Sequence, residues 1–232
     1  MSTEVAGVLR AAARTRGRRI LLIVTMLFGA LAAGLLVVGL PAGERTFATF
    51  AENVQSFISV PLPFVGVLLA HDLRRTPRAA ALPMLVGATV IAVAAGLVGG
   101  VLSVAALAAS GSTAADPWAG AGFILVGGVL VQVLAQLVGT GLGLLIGGRP
   151  VWACLSTIAV PLSVYALLTP AGTARAWLTP FGSLQEVFDG PAGVANWAVA
   201  ALTWGVGLNL VGVTLLRRQA DKASGQAPTP LG

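Results

Sequence analysis

The chain has 232 residues, 56% of them hydrophobic and 9% charged, with a mean hydropathy of +0.91. That apolar share exceeds the roughly 45 to 50% of soluble domains and excludes a soluble globular protein. The net charge of +6 does not point to nucleic acid, because the basic residues flank the apolar runs.

The first segment sets Val5, Val8, Leu9 and Ala12 at i, i+3, i+4 and i+7, with Arg10, Arg14 and Arg18 on another face. This spacing predicts an amphipathic helix within residues 1–19, lying in the membrane interface with its arginines toward anionic headgroups. A loose basic tail is the alternative. The apolar run that follows is longer than the h-region of a signal peptide and lacks a clear A-x-A site, so it reads as a retained anchor.

Apolar runs predict six spans at residues 20–40, 54–70, 82–109, 118–146, 151–168 and 194–216, each able to cross about 30 Å of hydrocarbon as a helix. The short alternating segments of a β-barrel do not occur. The expected fold is therefore an all-α polytopic membrane protein, with a six-helix domain over residues 20–216. The second span is the weakest, being polar at its start (Asn53, Gln55, Ser56) and broken by Pro61 and Pro63. Neighbouring helices are expected to satisfy the backbone groups freed there.

Between the second and third spans lie His71, Asp72, Arg74, Arg75, Thr76, Pro77 and Arg78. The segment reads either as plain positive-inside flank or as a short polar elbow presented to a cytoplasmic protein. His71 stands without a partner histidine and is assigned no chemistry. In the fourth span Gln132 and Gln136 are one turn apart, followed by Gly139, Gly143 and Gly147 as overlapping G-x-x-x-G units. Glycines at that spacing admit a neighbouring helix, and buried amides need partners. Helix packing and a substrate path both remain open for this group. The single cysteine, Cys154, excludes an intrachain disulfide or a cysteine metal cluster.

Between the fifth and sixth spans, residues 169–191 carry Trp177, Phe181, Leu184 and Phe188. Ser183 and Glu186 have capping-box spacing, predicting a short helix that lies on or dips into the outer leaflet; an ordered loop is the alternative. Residues 217–232 are expected to form a cytoplasmic disordered tail. With these spans, all basic residues but Arg45 and Arg175 fall on one set of flanks. That asymmetry places both termini in the cytoplasm. Trp118, Trp177 and Trp197 then fall near the outer boundary and Trp152 near the inner one, as belt residues or as ordinary filler.

No Asp, Glu, Lys or Arg falls deep within these spans, which disfavours an ion-coupled carrier. The chain has no G-x-x-x-x-G-K-[ST], H-E-x-x-H or G-x-S-x-G motif. It is therefore expected not to be an enzyme, and any ATP energy must come from a partner.

The order of these features resembles the permease subunits of type-2 ABC exporters: a basic interfacial helix, six spans, a charged loop after span two, and a hydrophobic excursion before the last span. In that family the loop begins with an acidic residue, has a Gly-Thr or similar small pair about four residues on, then a basic residue. Asp72, Thr76 and Arg78 stand in comparable places, though the glycine is lacking and Pro77 intervenes.

The resemblance implies a dimer, with itself or a related permease, driven by separate P-loop ATPase subunits in the plasma membrane. Arg10, Arg14, Asp72, Arg74, Arg75, Thr76 and Arg78 would couple to those subunits. Substrate would pass between the paired permeases, with span four or five near the seam. No cofactor is expected on this chain; its expected partners are the ATPase subunits, a second permease and the lipid bilayer, and not nucleic acid. A non-transporting scaffold or immunity-type protein is the alternative, followed by an ion-coupled carrier or membrane-embedded enzyme.

Overall fold

The computed structural model describes residues 2–76, 81–188 and 191–225. Among the described residues there is no strand, and six helical segments are long and apolar enough to cross a membrane. The chain is an all-α, multi-pass membrane protein.

Helix α1 (Ser2–Ala12) precedes the first span, α2 (Arg16–Gly39), which Thr15 caps by accepting the Arg18 N–H at 3.3 Å. Arg18 therefore belongs to the first span and not to the amphipathic segment expected over residues 1–19. The apolar face of α1 is also not given over to lipid. Val8 and Ala12 pack on Leu73 of the second span and Met84 of the third, because apolar protein surface is available there.

The second span is longer than expected, Phe47–Arg75. Thr46 starts α3 (Phe47–Ser59) by accepting the Thr49 N–H at 3.2 Å, and the chain breaks at Val60 and Pro61 before α4 (Leu62–Arg75). Pro61 and Pro63 have no N–H to donate, so a continuous ladder is impossible there. The polar start of this segment concealed its first turns, and Glu52 lies within them.

The third span is α5 (Ala81–Ala109) and the fourth α6 (Ala121–Leu145). Gly148, at φ +91°, turns the chain, and Pro150 opens the fifth span, α7 (Pro150–Leu167). Two short helices follow, α8 (Ala174–Leu178) and α9 (Pro180–Glu186). The last span comprises α10 (Pro191–Ala200), a π-helical stretch over Ala201–Gly207, and α11 (Leu208–Gly225). Since α11 continues to Gly225, the tail expected to be disordered from residue 217 begins as helix; residues 226–232 lie outside the described residues.

Helix α6 is the hub, touching α3, α4, α5, α7 and the last span. Small residues make this possible. A Cβ on Gly139 would lie 2.8 Å from the Pro63 Cα, and one on Gly143 2.8 Å from the Val67 Cα, so α4 and α6 are in backbone contact. One apolar cluster joins Phe47, Phe50, Val54, Ile58 and Leu62 to Ala92, Ala95 and Ile124. A second gathers Leu69, Leu73, Met84 and Leu144 around α1. By contrast only 17% of the α7 window is buried, against 61% for the second span. Thus α7 is peripheral.

Candidate functional site

At the basic end, where α1, the end of α4 and the end of α6 meet, Arg18 is the organising residue. Its guanidinium donates to both carboxylate oxygens of Asp72 (2.7 and 2.8 Å) and to the Ala11 carbonyl (2.8 Å), with a longer bond to Leu68 O at 3.4 Å. One cation thus joins the last turn of α1 to the last turn of α4. Bidentate pairing fixes orientation as well as distance. Arg74 donates to Leu144 O, placing its charge where α6 leaves carbonyls without helical partners.

The residues from Asp72 to Arg75 form the last turn of α4, not a separate elbow. Asp72 is paired and Arg74 caps α6, whereas Arg75 and Thr76 are exposed. Arg10 and Arg14 are exposed on α1 and the turn after it. Arg78 lies outside the described residues.

Gln132 and Gln136 are fully buried. The Gln132 Nε2 donates to the Gln55 carbonyl and to its Oε1, each at 2.8 Å, and the Gln55 Nε2 donates to Gly96 O at 2.8 Å. Cβ atoms on Gly99 and Gly128 would meet the Gln55 amide nitrogen at 2.6 and 2.7 Å, so the amide fills a slot that only glycines leave open. In the orientation that satisfies its neighbours, Gln136 donates to Leu62 O (2.8 Å) and accepts the Gly66 N–H (3.3 Å). It braces the first turn of α4 just after the proline break. Gly147 faces the Arg74 guanidinium.

At the other end, α8 and α9 form a hairpin. Thr179 is its hinge: its hydroxyl accepts the Gly182 N–H at 3.0 Å and donates to Arg175 O at 2.7 Å. The expected capping box does not form, because Ser183 lies inside α9 with its hydroxyl on Pro180 O, while Glu186 accepts from the Asn196 side chain. The threonine one turn earlier, followed by Pro180, is the better cap.

The tip of the hairpin lies level with mid-span residues. Leu178 O accepts the Trp204 Nε1 proton at 2.8 Å, and Pro180 and Phe181 line a cleft with Pro63, Val138, Thr157 and Pro161. Trp177 is exposed, Arg175 lies 5.3 Å from the Tyr165 ring, and Phe188 packs on Gly127. Trp197, read as belt residue or filler, donates to Leu130 O on α6. Trp118 stacks on Phe47 with ring centroids 5.8 Å apart.

Between α3 and this hairpin runs a groove of about 260 Å³, lined by Glu52, Ser56, Ser59, Val60, Val131, Phe181 and Phe188. Through Ser59, Val60 and Phe181 it adjoins the smaller cleft of about 70 Å³ at the hairpin tip. The four-residue spacing from Glu52 to Ser56 was visible in the sequence, but only the extension of α3 puts it on a membrane-crossing helix. Among the described residues no group of three or more His, Cys, Asp or Glu side chains is placed to hold a metal ion. Comparison with protein-family models, with curated proteins and with solved structures finds no match to this chain.

Proposed function

We propose that the chain is the non-catalytic membrane subunit of an ATP-driven exporter of the type-2 ABC class. In this reading it works as a dimer, with itself or a related permease, in the plasma membrane, with the basic end and both termini cytoplasmic. Separate P-loop ATPase subunits supply the energy. The observation that carries the reading is the Arg18 clamp, which ties α1 to the end of the second span. A force applied to α1 is thereby delivered to the span whose proline break gives it a flexing point, and α6 lies directly against that span.

Exposed Arg10, Arg14, Arg75 and Thr76 form the surface on which an ATPase would dock. Asp72 and Arg74 serve that surface from beneath, by holding α1 and α6 in register with it. The seam falls on peripheral α7 rather than on α6, whose glutamines are buried among neighbouring helices.

Purification from mild detergent is expected to recover a P-loop ATPase with the chain. Arg75→Glu is expected to leave insertion and dimer formation intact while lowering transport-coupled ATP hydrolysis by about tenfold, the equivalent of 1.4 kcal/mol of coupling. Persistent recovery without any ATPase, in native membranes and after crosslinking, would turn the reading toward a membrane scaffold.

A further inference from the structure

Glu52 lies about 7.5 Å along α3 from Phe47, at 1.5 Å of rise per residue, within the helical segment long and apolar enough to cross a membrane. Its side chain is exposed, and among the described residues no cation pairs with it. An unpaired carboxylate near the end of a membrane-crossing helix usually faces a partner or a water-filled path.

The rest of the groove mouth is equally one-sided. The Ser56 hydroxyl donates to Glu52 O and the Ser59 hydroxyl to Ser56 O, each at 2.7 Å. Their protons are therefore used, and only oxygen lone pairs face the groove. A site made of a carboxylate and two acceptor hydroxyls rejects anions and favours a cation. Phe181 and Phe188 add aromatic surface against which a cation is stabilised. Deeper in, Pro63, Val138, Ile158 and Pro161 offer almost nothing polar.

We propose that this groove binds a cationic amphiphile, its positive head against Glu52 and its apolar body against the tip of the α8–α9 hairpin. As the substrate class of a permease the proposal rests on the function argued above, but binding itself needs no ATPase. The site would explain why the hairpin turns inward beside α3 rather than lying flat on the membrane.

The test is equilibrium binding of radiolabelled tetraphenylphosphonium to the full chain in zwitterionic-lipid nanodiscs, with tetraphenylborate as an anion of the same shape. Saturable phosphonium binding above empty nanodiscs is expected, weakened about tenfold by Glu52→Gln, which corresponds to 1.4 kcal/mol. Because Glu52 is exposed, that variant keeps the fold. Phe181→Ala is expected to weaken binding about threefold, and Glu44→Gln, at the same end but outside the groove, to leave it unchanged.

Binding that is indifferent to Glu52→Gln, or equal for phosphonium and borate, overturns the proposal. So does a change in oligomeric mass on Glu52→Gln with phosphonium binding unmoved, since Glu52 would then face a second copy of the chain. With no ATPase present, these failures leave the permease reading standing, whereas failure to recover an ATPase leaves this site standing.

Discussion

Gln132 holds α6 to α3 through two bonds to a single residue, and leucine of similar size can make neither. Gln132→Leu would leave the Gln55 Oε1 without its donor in a dry interior and remove the second donor to the Gln55 carbonyl, which keeps its helical bond. We expect a loss of about 1 to 2 kcal/mol, the upper range for polar pairs between membrane helices, read as a lowered unfolding midpoint in nanodiscs. Gly139→Ala should be at least as damaging, because its Cβ meets backbone and not a side-chain end that can swing away. The need of Gln132 and Gln136 for partners was readable from residue type alone. Their partners were not. Gln55 and Leu62 are remote in sequence, and nothing local marks which amide meets which carbonyl.

Among the elements, the hairpin between the fifth and sixth spans shows how a correct motif can sit in the wrong place. Ser183 and Glu186 have capping-box spacing, yet the helix begins a turn earlier, where Thr179 precedes Pro180 and both ends of its hydroxyl are used. Thr179→Val is expected to cost the hairpin about 1 kcal/mol, the usual value of a lost cap. It should raise amide exchange across α8 and α9, with Gly182 foremost. Ser183→Ala should leave the Gly182 amide unchanged. If the two variants behave alike, the assignment of the cap fails. The second span teaches the converse: its polar opening turns suggested a late start, but hydrophobicity averaged over a window underrates a helix that is apolar on one face only. Phe47, Phe50, Ala51 and Val54 are buried while Glu52 and Ser56 on the opposite face are exposed.

For the molecule as a whole, six spans place the Arg75 end and the loop before α6 on opposite sides of the membrane. In a variant with Cys154→Ser, a cysteine replacing exposed Ala115 should react with an impermeant maleimide from outside intact cells. One replacing Arg75 should react only after the membrane is opened. Labelling of both from the same side would refute the six-span layout. The same layout puts the Arg18 clamp at one end and the Glu52 groove at the other, joined through the broken second span, so that the proposed docking and binding sites share one element.

The sequence by itself determined that this chain crosses a membrane, about how often, and which ends carry positive charge. It could do so because hydrocarbon imposes its demand on every stretch of about 20 residues independently. Tertiary structure decided which spans touch, that the glutamines face inward, and that the hairpin meets Glu52 in a common groove. In lipid no hydrophobic difference sorts one apolar face from another. The arrangement follows from where glycines let backbones meet and where distant amides find carbonyls, and those matches exist only in three dimensions.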